Sequence, residues 1–424
     1  MRILREGSTG SDVMELQSVL RKMGYYGSTP DGAFGPDTAR AVREFQTWRG
    51  LTADSVVGPA TWNALHPFLL GYDVYAIRQG DTFFGVGQKY GTDPALIAAA
   101  NPGRDPDRLM IGTRIIVPFS YDVVSTDTAY TYEVLTRNIQ GLKARYPALM
   151  VGSAGFSVLG HTLFALRLGT GPTRVAYNAS HHALEWITTP VLMKFAEDYL
   201  KSRALGKLLS GYDTRKLWTE SSIWLVPMVN PDGVNLVING LSPDNPYYSN
   251  LIRWNGGSTD FSGTWEANIR GVDLNHNYNA AWEQSKQEEA TLGITGPGPT
   301  RYSGPYPVSE PETRAMVSFT RSRNIGLVMA YHSQGRVIYW NFMNLASPQA
   351  EEIGRALSRI SGYALDEATG PASYAGYKDW FIQDFRRPGY TIEVGSGQNP
   401  LPLSQFPQIY AENLGMLLYA AQAT

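Results

Sequence analysis

No cysteine occurs among the 424 residues. That one absence removes disulfides, thiolate metal sites and thiol nucleophiles together, and leaves the redox compartment open. Charge is also sparse. Asp, Glu, Lys and Arg make up 17% of the chain, against roughly 25% in ordinary globular proteins. The formal net charge is -2, and no long block of like charges appears. Strong electrostatic attraction to nucleic acid or to an anionic membrane is therefore not expected. The apolar runs are far too short for a membrane span. The segment Met1 to Gly7 lacks the apolar stretch of a secretory signal. Histidine is scarce as well, with six residues in all, so each can be weighed singly.

What is present is a 43% hydrophobic share, enough for ordinary cores. The 25 tyrosines and 10 tryptophans suit stacking on carbohydrate, and equally suit a plain core. At about 100 to 200 residues per domain the length fits two to four domains.

Residues 1–68 read as a small helical unit. Val13, Leu16, Val19 and Leu20 recur at helical spacing and stop before Gly24. An internal repeat follows: Asp31-Gly32-Ala33-Phe34-Gly35-Pro36-Asp37-Thr38 is echoed by Asp54-Ser55-Val56-Val57-Gly58-Pro59-Ala60-Thr61. Each Gly-Pro makes a turn, with Pro suited to the first helical position. The signature resembles the three-helix peptidoglycan-binding domain of bacteria, which implies binding to cell-wall glycan. Residues 73–119 read as strand, helix, helix, strand. Asp81 or Thr82 is placed to cap the first helix and Asp93 the second, with Pro94 at its first position. Gly80-Asp81-Thr82, Asn101-Pro102 and Gly112-Thr113-x-Ile115-x-Val117-Pro118 resemble a LysM module, which implies recognition of N-acetylglucosamine-containing glycans.

From residue 122 to 424 strand-like and helical patterns alternate. Strand candidates are Leu163 to Leu168, Val175 to Tyr177, Ser222 to Pro227, Ile325 to Ala330 and Tyr390 to Val394; helical candidates are Val191 to Leu200 and Glu312 to Arg321. Such alternation argues for an α/β domain with a mixed, largely buried sheet and helices on both faces. Ligands gather at the carboxyl ends of strands in such folds.

His182-x-x-Glu185 places two metal-binding side chains one helical turn apart. His332, after the strand-like Leu327 to Ala330, offers a third. Two imidazoles and a carboxylate suit zinc with one position left open, where water acquires a pKa near 7. Glu393, on a late strand, is a spare carboxylate of the kind that takes a proton from that water. His181 competes with His182 as ligand; the spacing to Glu185 and the sequence context favour His182. His161 reads as a strand-end residue.

The ordered motifs His182-Ala183-Leu184-Glu185-Trp186, Asn230-Pro231-Asp232-Gly233, Gly271-Val272-Asp273-Leu274-Asn275-His276-Asn277, His332-Ser333 and Thr391-Ile392-Glu393 resemble the zinc carboxypeptidase superfamily typified by carboxypeptidase A. The resemblance covers residues 125 to 424. It implies a single zinc ion on His182, Glu185 and His332, Glu393 as general base, and Asp273 orienting His182 from behind. It also implies an arginine for the oxyanion, with Arg270 favoured over Arg253, and a mobile tyrosine, with Tyr374 favoured over Tyr377. Asn275, His276 and Lys378 fall at substrate-binding positions.

One departure matters. The family's Asn-Arg pair, which holds a terminal carboxylate, is here Asn275-His276, and an imidazole does not fork onto a carboxylate as guanidinium does. This speaks against the alternative of a general metallocarboxypeptidase trimming peptide C-termini. The chain resembles instead the γ-D-glutamyl-L-diamino acid endopeptidases, which cut between γ-D-glutamate and diaminopimelate in peptidoglycan stems. The expected partners are peptidoglycan glycan strands and stem peptides, with no nucleic acid. The expected location is cytoplasmic, or associated with the spore or mother cell, with action on the cell wall. Intact ligands and Glu393 argue against a non-catalytic wall-binding protein.

Overall fold

Two buried glutamines organise the N-terminal repeat. The computed structural model describes residues 1–106 and 108–423; Asp107 and Thr424, inside the second and third expected domains, lie outside the described residues. Helix α1 (Ser11–Lys22) carries Gln17, helix α2 (Pro36–Trp48) carries Gln46, and α3 (Pro59–Leu70) completes the bundle. The Gln17 amide donates to Asp31 Oδ1, Ala33 O and Thr38 Oγ1 at 2.8–3.0 Å, and its oxygen accepts from the Asp31 and Gly32 amides. Gln46 repeats this with Asp54 Oδ1, Val56 O, Thr61 Oγ1 and the Ser55 amide. Each Asp-to-Thr turn is thus pinned by a buried side-chain amide, and Gln17 Nε2 also donates to Tyr26 Oη at 3.2 Å. Pro36 and Pro59 open the helices that follow. Leu4, Leu16, Leu20, Phe34, Val42, Phe45, Val57 and Leu65 fill the core between them.

The next segment is strand β1 (Tyr72–Ala76), α4 (Phe83–Tyr90), α5 (Pro94–Ala100) and β2 (Arg114–Pro118), with β1 and β2 antiparallel and Tyr72 opposite Pro118. Thr82, not Asp81, caps α4 by accepting from the Gly85 amide; Asp81 instead accepts from Tyr75 Oη. Asp93 caps α5. Asn101 stitches the end of α5 to β2, donating to Ile97 O and Ile116 O and accepting from the Ile116 amide.

These elements share one compact unit, residues 1–150 with 197–207, with helix α6 (Tyr132–Arg145). Arg137 of α6 pairs with Glu15, Lys22 Nζ bonds the carbonyls of Asp122 and Val123, and Glu197 accepts the Val123 and Val124 amides. Gly141 permits the approach of α6 to α3, since a Cβ there would strike Leu70 O.

The second unit, residues 151–196 with 208–424, is built on an eight-stranded sheet. Its strands are β3 (Met150–Phe156), β4 (Thr162–Leu168), β5 (Thr173–Ala179), β8 (Ser221–Val226), β9 (Leu327–Ser333), β10 (Val337–Tyr339), β11 (Ala364–Asp366) and β12 (Gly389–Val394). A separate two-residue hairpin, β6 (Leu208–Leu209) and β7 (Tyr212–Asp213), precedes β8. Across the sheet the order is β11-β10-β12-β9-β5-β8-β4-β3. The central strands β8, β5, β9 and β12 are parallel, and β10 and β4 join them antiparallel. All seven residues of β9 are buried, as befits a strand covered on both faces. The sheet is mixed and flanked by helices, among them α7 (Thr188–Leu205) and the helices Pro311–Arg321 and Tyr377–Phe385.

The five anticipated strands fall in β4, β5, β8, β9 and β12, and the two anticipated helices in α7 and Pro311–Arg321. Strands β3, β10 and β11 of the sheet, like the short hairpin β6–β7, are not among the strands that the sequence pattern predicts. Strands β10 and β11 are three residues long, β6 and β7 two, and β3 is mostly exposed, so none carries a clear apolar alternation.

Candidate metal centre

Strand β5 delivers the first motif. After Ala179 the chain turns at Ser180 (φ 53°), whose hydroxyl lies 3.1 and 2.8 Å from those of Thr188 and Thr189 at the start of α7. His181 then points into the core, its Nε2 2.9 Å from Tyr278 Oη, and burial holds its pKa well below the ordinary histidine value. His182 is extended, and Ala183–Glu185 form a single 3₁₀ turn rather than the start of an α-helix. In a 3₁₀ turn side chains three apart eclipse one another. This brings His182 Nδ1 to 3.0 Å from Glu185 Oε1. His332, on the parallel strand β9, places Nδ1 2.8 Å from Glu185 Oε2.

His182, Glu185 and His332 thus offer three donor atoms within 4.8 Å of one another. Zinc with ligand bonds of 2.0–2.2 Å in tetrahedral array separates adjacent donors by about 3.4 Å. The chemistry of the set (two imidazoles and a carboxylate, with no thiolate) and its spacing both fit that ion. Asp273 settles which imidazole nitrogen faces the others. Its Oδ1 lies 3.1 Å from His182 Nε2, leaving Nδ1 for the centre. The same carboxylate caps the 3₁₀ turn Leu274–His276 through the Asn275 amide and accepts from the Arg301 amide. The one carboxylate thus caps a turn and contacts the His182 ring.

Burial and charge oppose each other throughout. Burial acts to raise Glu185, but His182 and His332 outweigh it and bring its pKa to about 2. Burial acts to lower His182, while Glu185 and Asp273 hold it well above the ordinary value. For Glu393 burial and the neighbouring Glu185 act together, and its pKa rises well above that of an ordinary carboxyl.

A cleft of about 510 Å³ is lined by His182, Glu185 and Asp273, and by Glu393, Asn275, His276 and Lys378. Asn275 Oδ1 accepts from the Tyr377 amide, and His276 Nδ1 lies 3.2 Å from Ser285 Oγ. Lys378 is 3% exposed; its ammonium bonds Asn341 O at 2.7 Å and lies 2.6 Å from Asp379 Oδ1. It is committed to the protein.

The structure does not bring Arg270 into the cleft wall. Asn268 Oδ1 accepts the amides of both Arg270 and Val272, which turns the chain so that Asp273 enters the site while Arg270 leaves it. Arg270 instead lies 3.7 Å from Glu310 and donates to Tyr247 Oη. Arg253, on the helix Tyr248–Trp254, is absent from the wall too. Tyr374 packs against the core cluster, and Tyr377 is fully buried with its hydroxyl on Thr320. The tyrosine that lines the cleft is Tyr339. Arg301 and Glu266 line it as well; both sit in loop sequence without periodicity, and only their nearness to Asp273 in space marks them.

Comparison with known proteins identifies the family. Residues 135–416 match the zinc carboxypeptidase family, residues 9–65 the peptidoglycan binding domain family and residues 75–118 the LysM domain family. The chain is 46% identical over 299 residues to gamma-D-glutamyl-L-diamino acid endopeptidase 1 of Lysinibacillus sphaericus, covering 70% of this chain and 74% of that protein. It is 36% identical over 104 residues to the spore cortex-lytic enzyme of Bacillus subtilis, 23% of this chain and 34% of that one. The carboxypeptidase A of Helicoverpa armigera shares the fold at a TM-score of 0.53, with 18% identity, over 86% of this chain and 95% of that one.

Proposed function

Because the chain belongs to the zinc carboxypeptidase family, we propose that it cleaves the γ-D-glutamyl–diaminopimelate bond of peptidoglycan stem peptides. At the coarser level it is a metallopeptidase that carries peptidoglycan-binding and LysM domains. The reading rests on the convergence of His182, Glu185 and His332 beneath a cleft that Glu393 also lines. The proposed division is a wall-binding domain at 1–68, a LysM module at 73–119 and the catalytic domain at 122–424.

His182, Glu185 and His332 would hold one zinc ion. Bound zinc supplies Lewis-acid polarisation of the scissile carbonyl and acidifies water. Glu393 takes a proton from the attacking water and returns one to the leaving amine. Its burial beside Glu185 keeps the carboxyl basic enough to do the first. Asp273 holds the His182 ring in the required orientation. Asn275 and His276 line the same cleft and contact the stem peptide. In the LysM module, Thr82, Phe83, Phe84, Pro94, Ala95 and Ala98 border a groove of about 300 Å³. Phe84 is 64% exposed there, a stacking face for an N-acetylglucosamine chain.

Among the described residues no helix is long and apolar enough to cross a membrane. The likeness to a spore cortex-lytic enzyme supports a site of action at the wall or spore.

Mass spectrometry of muropeptides digested with and without a chelator tests the whole reading. Products ending in free D-glutamate, lost on chelation, are expected. Release of single C-terminal residues from ordinary peptides, with stem peptides untouched, would replace it by the carboxypeptidase alternative.

A further inference from the structure

The cleft is rich in carboxylates: Glu185, Glu266, Asp273, Asp379 and Glu393 all line it. The proposed substrate is itself anionic. A γ-D-glutamyl–diamino acid bond carries the α-carboxylate of D-glutamate on one side and the α-carboxyl of the diamino acid on the other. Zinc would offset Glu185, His182 faces Asp273 and Lys378 pairs with Asp379, so a substrate carboxylate beside the scissile bond needs a further cation of its own.

Two permanent cations line the cleft, Lys378 and Arg301. Lys378 is buried and spent on Asn341 O and Asp379. His276 is a weak third candidate, since an imidazole offers no planar fork and burial lowers its pKa. Arg301 differs from both. Its backbone amide is fixed by Asp273 Oδ2 at 2.9 Å, in a left-handed conformation (φ 63°) unusual for a residue with a side chain. Its guanidinium is not so fixed: Nη1 is buried without a hydrogen-bond partner among the described residues. An unpaired buried guanidinium nitrogen calls for an acceptor, and the planar fork of arginine matches a carboxylate.

Resting on the function proposed above, we infer that Arg301 is the residue that binds a substrate carboxylate flanking the scissile bond. It supplies from a separate loop the fork that His276 lacks. Asp273 positions both sides of the reaction: one oxygen orients His182 and the other fixes the backbone of Arg301.

Three substrates test this on the full-length zinc enzyme: L-alanyl-γ-D-glutamyl-diaminopimelate, the same peptide with the D-glutamate α-carboxylate amidated, and the same peptide with the diamino acid α-carboxyl amidated. The native enzyme is expected to lose about 100-fold in kcat/KM on one of the amidated peptides, the scale of a charge-assisted hydrogen bond; which one identifies the carboxylate held. Arg301→Gln should lose a similar factor on the unmodified peptide, keep its zinc, and become indifferent to that amidation. Arg301→Lys should recover part of the loss. A native enzyme that cleaves all three peptides alike overturns the assignment of Arg301 without recourse to any variant. So does an Arg301→Gln enzyme that is unimpaired, or equally impaired on all three. A native enzyme that cleaves none of them defeats the proposed function itself.

Discussion

Glu393 and His332 are register partners on the adjacent parallel strands β12 and β9. Neighbouring strands lie about 4.8 Å apart, and partners in register project to the same face. The candidate base and a candidate metal ligand are therefore set side by side by backbone hydrogen bonds in the buried centre of the sheet, with no loop between them to flex. His182 and Glu185 approach from the loop after β5, the next strand over. The site is a property of strand order.

Glu393→Gln keeps the shape and removes the titratable oxygen. Zinc content should stay at the native level while kcat falls by about 10²–10⁴-fold, the usual scale for loss of a positioned acid–base group. Metal analysis and muropeptide turnover on the same preparation check this. Undiminished turnover would place the proton transfer elsewhere.

His332→Ala removes one of three donors and should abolish zinc retention through gel filtration. Asp273→Asn should act more gently. It weakens the partner of His182 Nε2 and should cost about 10–100-fold in metal affinity or activity. A chelator titration followed by metal analysis separates the two. Native zinc affinity in Asp273→Asn would leave that residue with its turn-capping role alone.

Glu312 gives a pH signature of stability. It is fully buried in the first turn of the helix Pro311–Arg321, and burial, reinforced by Asp232, raises its pKa from 4.5 to about 8. Between those pH values the folded protein holds a proton that the unfolded chain has released, so stability falls as pH rises from about 5 through 8. The melting temperature should drop across that window by roughly 2–4 °C per kcal/mol of penalty. Glu312→Gln should flatten the slope. Thermal melts at pH 5, 7 and 9 measure it; a variant that keeps the native slope would assign it to other groups.

The wall-binding part is built into a larger folded unit. Gly141→Val places a side chain against Leu70 O and Val123 and should destabilise that unit by about 1–3 kcal/mol. Removing residues 1–120 should abolish retention on wall sacculi and lower the melting temperature, because α6 loses its packing partner α3. Cleavage of soluble muropeptides should survive. Sacculus pull-down, thermal melts and soluble turnover are the three measurements; loss of soluble turnover in a folded truncation would make the N-terminal elements part of the site.

Short-range pattern made much of this chain legible. The paired Asp-to-Thr repeats announced two turn-helix elements because each contains its own Gly-Pro start, and Asp93-Pro94 announced a capped helix in the same way. His182 and His332 were readable as candidates because few side chains hold zinc and the chain has six histidines and no cysteine; Glu185 and Glu393 stood out among 38 acidic residues through the His-x-x-Glu spacing and the resemblance of the ordered motifs to the family. Their chemistry is carried by residue type, which is local information. Direction is not. Why Arg270 leaves the cleft while Asp273 enters it, and how Arg301 arrives beside Asp273 from 28 residues further along the chain, depend on turns pinned by side chains: Asn268 for Arg270 and Asp273 for Arg301. A guanidinium at the end of a long side chain can point to solvent or to substrate with the same neighbours in sequence, and only packing in three dimensions selects between them.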